Sequence, residues 1–223
     1  MNVIVAISTV ADGSMYNRHD LSDPVIVNNR DTFLRSQGID INQSTCMLPT
    51  FNTKDFCKYE EISEVAKGQG MKDDTAIRVD AIITTHKNHA VFLPIADCIG
   101  AIFYDPINQV LALAHLGRHS LEQNGGQKIV EHLRDNYGSV AATLKVWLTP
   151  SAGKDVYKIW ALDNKGMKES AYEQFFAAGL LRENITDNNA ETTSDKNYYS
   201  YSELLKGHRS EDGDHAIVAM MTD

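Results

Sequence analysis

The sequence has few cysteines and no pair of them at a redox or metal-binding spacing. Its 223 residues include three cysteines, Cys46, Cys57 and Cys98, and no C-x-x-C motif. An odd number in a chain of this size argues against a disulfide framework, and the missing C-x-x-C pair argues against a zinc ribbon. We therefore expect reduced thiols, as in proteins of the cytoplasm.

Basic residues and long apolar runs are also scarce. Thirty acidic residues against 21 basic ones leave a formal charge of -9, which disfavours nucleic acid and anionic membranes as partners. No uninterrupted apolar run reaches the roughly 18 residues of a spanning helix, and the opening "MNVIVAISTV" has no basic, signal-like region. These features predict a soluble cytoplasmic protein with neither kind of partner.

The material that is present fits one globular domain. With 43% hydrophobic and 23% charged residues, the chain can form a sizeable core, and we expect a single domain over residues 1–223. Apolar runs of strand character alternate with helical patterns. The sequence predicts strands at "VIVAIST", "TLKVWLTP" and "HAIVAMM", helices at "DPVIVNNRDTFLRSQG", "GGQKIVEHLRDNYG" and residues 165–178, and a long loop at "NITDNNAETTSDKN".

Two hairpins are predicted in the middle of the chain. The segment "AIITTHKNHAVFLPIA" predicts one about Lys87 and Asn88, and "IADCIGAIFYDPINQVLALAHLGRH" predicts a second. If residues 105–108 form a four-residue loop in the second hairpin, Cys98 lies directly opposite His115. Directly opposed residues share a face, with Cβ atoms about 4.5 to 5.5 Å apart, whereas a slip of one residue turns one of them to the other face.

A cysteine beside a histidine has two chemical interpretations and a structural one. A thiolate and an imidazole can hold one metal ion, or form a Cys-His pair within hydrogen-bond reach. Alternatively, Cys98 is a buried residue at a strand start and His115 a core-edge residue bonded to backbone. The spacing alone leaves these interpretations open.

The same segments resemble a known family. "VDAIITT" and "PIADCIGAIFYDPINQVLALAHLGRHSL" are similar to the D-A-x-x-T, T-A-D-C and A-x-x-H-A-G-W-R-G motifs of the YfiH-like laccase-domain family, also called multicopper polyphenol oxidoreductase-like proteins and purine nucleoside phosphorylases. Weaker similarity at "IST", "VNNRDTFLRSQGID", "VWLTPSAGKDVYKI" and "YYSYS" extends along nearly the whole chain. The resemblance implies a compact α/β fold, with mixed β-sheets packed as a sandwich and helices outside.

The resemblance also implies a site. In the family, the cysteine and histidine of these motifs bind metal and act in catalysis with a second, upstream histidine, which implies that Cys98 and His115 hold zinc or copper. In the segment "TFNTKDF" the upstream position is Asn52, a poor ligand for a soft metal, so we expect weak metal binding. His119 is the favoured substitute ligand over the pair His86 and His89.

Other positions depart from the family pattern. Val10, Lys158 and Ser202 stand where the family has Arg, Glu and Arg, and Arg118 with His119 replaces its W-R. Because arginine suits bidentate phosphate binding, we expect weakened phosphorolysis, with Arg118 still able to supply one contact. We further expect Tyr199 and Tyr201 to share one face of a strand, with Tyr201 stacking on a purine.

Three functions follow from the resemblance and these departures. The first is a divergent enzyme that cleaves purine nucleosides such as adenosine or inosine with phosphate or water at a Cys-His metal site, with Asn52, Arg118, His119 and Tyr201 binding substrate. Adenosine deamination and polyphenol oxidation are possible side activities within the family. The second is a metal-free Cys-His hydrolase of amide bonds. The third is a non-catalytic relative with a degenerate site.

Overall fold

The computed structural model describes residues 2–51 and 53–223. Within these ranges the strands are β1 Val3–Ile7, β2 Ser44–Leu48, β3 Tyr59–Glu61, β4 Ile77–Arg78, β5 Ala81–Thr84, β6 Ala90–Ile95, β7 Ile99–Asp105, β8 Val110–Leu116, β9 Lys145–Leu148, β10 Ile185–Asp187 and β11 His215–Met221. The α-helices are α1 Pro24–Ser36, α2 Arg118–Glu122, α3 Gly125–Tyr137, α4 Met167–Ala177 and α5 Tyr201–Leu205. None of the helices in these ranges has the length and apolar character that a bilayer crossing requires.

The strands form two mixed sheets that pack face to face. One sheet has the order β1-β11-β6-β2-β4 and the other the order β10-β9-β7-β8-β5-β3. A core that includes Leu93, Ile102, Leu113 and Ile217 fills the space between the sheets. Separate apolar layers join α1 to the first sheet and α2, α3 and α4 to the second. The predicted α/β sandwich with helices on the outside is thus confirmed.

Helix α1 shows how local sequence sets an element. Asp23 accepts a hydrogen bond from the Val25 N–H, and Pro24 occupies the first turn, where its missing N–H costs nothing. Gly38 follows the helix in the left-handed conformation, with a φ of 73° that most side chains rarely adopt. On the buried face, the Arg30 guanidinium donates to the carbonyl oxygens of Met15, Gly70 and Met71.

The prediction of a hairpin about Lys87 and Asn88 is wrong. β5 pairs with β8 and β3, whereas β6 pairs with β11 and β2 in the other sheet. The connection therefore crosses between sheets. Asn88 has the positive φ of 53° that suits a tight hairpin or a crossing equally well, and both strands are buried throughout, so no polar face indicates their partners.

The second hairpin forms, but with a different register. Asp105 stays in the ladder opposite Val110, and Gly100 rather than Cys98 lies opposite His115. The Asp105 carboxylate accepts the N–H groups of Ile107 and Asn108, so residues 106–109 form the loop. The register differs from the predicted one by two residues. Because the side-chain period of a strand is two, the shift leaves Cys98 and His115 on the same face.

Two further predictions require correction near the end of the chain. The segment "YYSYS" is not a strand, because Ser200 caps α5 by accepting from the Glu203 N–H and Tyr201 begins that helix. Tyr199 is buried and Tyr201 is partly exposed, so the two rings do not share a strand face. The predicted long loop "NITDNNAETTSDKN" contains strand β10, which pairs in parallel with β9.

The pairing brings many strand ends to one end of the sandwich. β1, β2, β4, β6, β8 and β9 end there, and β5, β7 and β11 begin there. The short connection of residues 96–98 joins β6 to β7 and so links the two sheets at this end. The loops and turns of this end are the surface on which polar side chains from distant parts of the sequence meet.

At the opposite end, His89 is a buried histidine that precedes β6. Its Nε2 lies 2.7 Å from Thr45 Oγ1. Because the Thr45 hydroxyl donates to the Ala66 carbonyl oxygen at 2.7 Å, the threonine oxygen is free to accept from the ring. Burial lowers the pKa of His89 to about 4, from an ordinary value of 6.5.

We predict that the free energy of unfolding falls as pH drops from 6.5 towards about 4, because unfolded His89 binds a proton in this window and folded His89 does not. His89 alone contributes at most about 3 kcal/mol to this fall. Replacing His89 with Gln retains a donor for Thr45 and removes the titration, so the pH profile should flatten. Guanidinium denaturation across the window measures the effect. The exposed residue His19, replaced with Gln, is the control, and equal profiles for His89→Gln and wild type would contradict the prediction.

Candidate functional site

A cavity of about 320 Å³ opens at the end of the sandwich where the strand ends meet. The predicted site residues that line it are Cys98, His115, Arg118, His119 and Tyr201. Asn52 lies outside the described residues. The other two histidines proposed as substitute ligands are not at this cavity, because His86 and His89 belong to the connection before β6, at the opposite end. A cavity of this size suits a small organic ligand.

Cys98 and His115 meet at Gly117. A Cβ atom at Gly117 would lie 3.1 Å from Cys98 Sγ and 3.1 Å from His115 Nε2, so no more than twice this distance separates the sulfur from the nitrogen. The two residues come from different strand ends, one just before β7 and the other in β8. The His115 N–H donates to the Asp80 carbonyl oxygen at 2.8 Å, which fixes the backbone beneath the imidazole.

The thiol and the imidazole are both uncharged in this environment. Burial raises the pKa of Cys98 to about 12, and the Asp97 and Asp214 carboxylates add to the effect. Burial alone lowers the pKa of His115 to about 4. At neutral pH the pair is therefore a thiol beside a neutral imidazole, and it is not the thiolate-imidazolium ion pair of an activated cysteine.

Arg18 organises one wall of the cavity. Its guanidinium lies 3.1 Å from the Asp214 carboxylate and 3.3 Å from that of Asp212. It also stacks 4.1 Å from the centre of the Tyr201 ring and 5.7 Å from that of Tyr16. Burial raises the pKa of Asp214 to about 7 against the opposing charge of Arg18. Asp214 can therefore exchange a proton near neutral pH.

Arg118 and His119 form the facing wall on α2. Arg118 Nη2 lies 3.1 Å from His119 Nε2, and the His119 ring stacks on Phe56 with centroids 4.6 Å apart. Gln123 secures the loop that carries Phe56. Its side chain accepts from the Phe56 N–H at 3.0 Å and donates to the Lys54 carbonyl oxygen at 2.8 Å. The loop before β3 is thereby held against α2 as a side of the cavity.

Asp80 and Arg78 lie between these walls. The Asp80 carboxylate is buried and accepts from the Lys58 N–H at 3.1 Å. Burial raises the pKa of Asp80 above its ordinary value. Arg78, at the end of β4, pairs with the exposed carboxylate of Asp74 at 3.0 Å. Both residues line the cavity and add one charge of each sign to it.

Several lining residues were not predicted as site residues from the sequence. They are Arg18, Arg78, Asp80, Tyr157 and Asp214. Asp80 and Tyr157 lie in segments that match family motifs, and that match was the signal that could have identified them. Arg18, Arg78 and Asp214 lie in no such motif, and only their positions beside strand ends connect them. Two arginines, Arg18 and Arg78, therefore reach the cavity from elements outside the family motifs.

The donor set at the cavity does not fit a resident catalytic zinc. Such sites generally have three protein ligands. Residues 2–51 and 53–223 contain no cluster of three or more His, Cys, Asp or Glu side chains arranged to hold a metal ion. A ligating histidine also usually donates its second ring nitrogen to an acceptor. His115 Nδ1 is buried and has no hydrogen-bond partner in the described part of the chain.

Solved bacterial structures share this fold. The hypothetical protein YfiH of Bacillus licheniformis superposes with a TM-score of 0.83 and 17% identity, covering 99% of this chain and 93% of that one. YlmD of Geobacillus stearothermophilus superposes with a TM-score of 0.82 and 16% identity, covering 99% and 92%. These likenesses define the chain as a protein with the YfiH and YlmD fold.

The chain belongs to the family described as multi-copper polyphenol oxidoreductase laccase, which matches residues 15–164. A curated relative, the purine nucleoside phosphorylase YlmD of Bacillus subtilis (strain 168), is 24% identical over 143 residues. The match covers 63% of this chain and 50% of the relative, so it spans half of the relative's length. The family resemblance predicted from the sequence is confirmed.

We predict that Gly117→Ala disturbs the Cys98 and His115 pair. The backbone of Gly117, with a φ of -90°, tolerates alanine. The new Cβ atom, however, would lie 2.8 Å from His115 Cε1, so it must displace the imidazole ring or the Cys98 thiol. The expected cost is about 1–3 kcal/mol of stability, with a changed rate of Cys98 alkylation. Denaturation and peptide mass spectrometry measure these effects.

Gly138→Ala is the control for this substitution. No atom lies within 4 Å of the Cβ position at Gly138, so alanine there adds backbone strain without contacts. Its alkylation rate at Cys98 should equal that of wild type. An unchanged rate in Gly117→Ala as well would show that the thiol and the ring do not meet at this glycine.

Proposed function

We propose that this chain cleaves the N-glycosidic bond of purine nucleosides, with inorganic phosphate as the acceptor. The observation that carries the proposal is the convergence of Cys98, His115, Arg118 and Tyr201 on one cavity. The relative named purine nucleoside phosphorylase supplies the reaction class. Inosine and adenosine are the expected substrates, and the products are the free base and ribose 1-phosphate.

Aromatic rings supply the surface for the base. Tyr16, Phe56, Tyr157 and Tyr201 all line the cavity. Stacking of a base on an aromatic side chain is worth about 1–3 kcal/mol and tolerates different bases. The purine is therefore recognised through its ring faces, while the polar groups of the cavity are left for ribose and phosphate.

Arg118 is the favoured contact for phosphate. The guanidinium of Arg18 is already engaged by the carboxyl groups of Asp212 and Asp214, and that of Arg78 by Asp74. Arg118 has a histidine, His119, as its side-chain hydrogen-bond partner, so its charge remains available to an anion. Its planar guanidinium suits two oxygen atoms of a phosphate at once.

The reaction forms one bond, breaks one bond and transfers, in net terms, one proton from hydrogen phosphate to the leaving base. A phosphate oxygen bonds to C1′ of the ribose while the bond from C1′ to N9 breaks, and its electron pair passes to the purine. Asp214, with a pKa of about 7, donates the proton that the leaving base requires. The proton of the hydrogen phosphate then restores Asp214. Cys98 and His115, both neutral, form the polar floor that orients the reactants.

The two alternatives to a nucleoside-cleaving enzyme are a Cys-His amide hydrolase and a non-catalytic relative. Hydrolysis of amide bonds by Cys98 as nucleophile requires a thiolate or an effective base, and the pKa values of about 12 for Cys98 and about 4 for His115 count against both. A non-catalytic role is an outcome of the assay described below. Zinc or copper held weakly by Cys98 and His115 stays a prediction, as do adenosine deamination and polyphenol oxidation.

We predict slow release of hypoxanthine from inosine and of adenine from adenosine, dependent on phosphate and on Cys98. Replacing Cys98 with Ala removes half of the polar floor and should lower kcat/KM by at least about tenfold, equivalent to about 1.4 kcal/mol of barrier. The rate of base release is measured by chromatography, with and without phosphate, for wild type and Cys98→Ala. Cys57→Ala, outside the cavity lining, is the control and should retain activity.

Three outcomes separate the functional alternatives. Phosphate-dependent turnover lost in Cys98→Ala alone supports the proposal. Equal turnover in wild type and Cys98→Ala would show that Cys98 has no part in the reaction. Absence of turnover in wild type with both nucleosides would favour the non-catalytic alternative.

We predict that Arg118→Gln raises the KM for phosphate by about tenfold or more, since one charge-assisted contact is worth about 1.5–3 kcal/mol. The KM for inosine should change less, because the aromatic rings hold the base. Arg134→Gln, an exposed substitution on α3, is the matched control. Equal phosphate KM values for both variants would exclude Arg118 as the phosphate contact.

A further inference from the structure

Asp97 lies in the three-residue connection between the two sheets, directly before Cys98. It is 6% exposed and has a φ of 67°. A side chain other than glycine in this left-handed region costs roughly 1–2 kcal/mol unless its surroundings compensate. The connection from β6 to β7 has only residues 96–98, so this left-handed residue lies next to the edge of the cavity.

Three hydrogen bonds hold Asp97 in this conformation. Its Oδ1 accepts from Thr192 Oγ1 at 2.6 Å, and its Oδ2 accepts from the Ser202 N–H at 2.7 Å. Its main-chain oxygen accepts from the Ala152 N–H at 2.8 Å. The donors come from three separate segments after β9, and the two bonds to the carboxylate are charge-assisted.

The Asp97 carboxylate therefore connects two parts of the cavity. On one side, the next residue along the chain is Cys98. On the other, Ser202 follows Tyr201, whose ring supports Arg18 at 4.1 Å. The carboxylate thus bonds the first turn of α5 to the residue that directly precedes the thiol. Asp97 therefore connects the thiol to the aromatic wall without lining the cavity itself.

We infer that Asp97 is a positioning residue that sets the Cys98 thiol and the Tyr201 wall relative to one another. The inference rests on the proposed function for its kinetic consequences, and on the geometry alone for its effect on the thiol. It assigns Asp97 no contact with the reacting atoms. Its effect on turnover passes through Cys98 on one side and Tyr201 on the other.

The test uses two substitutions of the intact chain. Asp97→Gly keeps the left-handed backbone and removes both acceptors. Asp97→Asn also tolerates this backbone and keeps one acceptor oxygen, so it should act as a partial rescue. Asp105→Asn is the matched control. Asp105 is a buried aspartate, 1% exposed, that also accepts backbone N–H groups. It ends β7, whereas Asp97 precedes the start of β7, so Asp105 lies at the far end of the hairpin from the cavity.

The kinetic readout separates positioning from general stability. In Asp97→Gly we expect kcat for inosine phosphorolysis to fall by at least about tenfold and the KM for inosine to rise, with Asp97→Asn between this variant and wild type. Asp105→Asn should lose stability and keep its kinetic constants. Equal kinetics for Asp97→Gly and Asp105→Asn, compared where both are folded, would overturn the inference.

The second readout is independent of nucleoside turnover. The rate of iodoacetamide alkylation at Cys98 is followed by peptide mass spectrometry. Because burial and the Asp97 charge both raise the pKa of Cys98, Asp97→Asn, which removes the charge and keeps an acceptor, is the charge control. The rate should be severalfold higher in Asp97→Gly than in Asp97→Asn and should stay at the wild-type value in Asp105→Asn. If wild type shows no turnover but Cys98 responds in this way, the proposed function fails and the positioning role stands. If Asp97→Gly and Asp97→Asn are alkylated at the same rate, the positioning role is refuted whatever the turnover.

Discussion

Close contact between the two sheets at Gly100 supports the site. A Cβ atom there would lie 2.8 Å from Ile217 Cγ2 and 3.6 Å from Leu93 Cδ2, both in the other sheet, so a side chain at this position would force the sheets apart. Gly100 lies opposite His115 in the ladder and two residues after Cys98. The apolar contact of Gly100 with Ile217 continues into the core between the sheets. The thiol and the imidazole therefore lie where the core between the sheets meets the cavity.

This placement explains the electrostatics of the cavity. Groups at its floor, such as Cys98 and His115, are desolvated by the core beneath them and stay neutral. Groups on its walls, such as Arg18 and Arg118, are closer to solvent. Arg18 contacts the carboxyl groups of Asp212 and Asp214, and Arg118 contacts the His119 ring. A neutral floor with charged walls suits a ligand that carries an uncharged sugar and base at one end and an anion beside them.

The sequence predicted the elements better than their partners. Local signals, such as Asp23 before Pro24 in α1, depend on neighbouring residues and were sufficient to locate the long helices α1, α3 and α4 and most strands, but not the short helices α2 and α5. The pairing of β5 and β6 depends on which sheet each strand joins, and two wholly buried strands contain no sign of that choice. Cys98 and His115 were predicted because they share a hairpin and a family motif. Arg18 and Asp214 were not, because their contact joins positions near opposite ends of the chain.

The pairing of β1 with β11 gives the cavity a property that no local motif would have. Tyr16 and Arg18 follow β1, and Asp214 precedes β11, so this wall exists only when the first and last strands lie side by side. A ligand that bridges this wall and α2 binds the fully assembled chain and none of its partly folded forms. Its binding free energy is therefore added to the cooperative unfolding transition as a whole. Saturating ligand would raise the midpoint of global denaturation and slow hydrogen exchange throughout the sandwich, including strands far from the cavity.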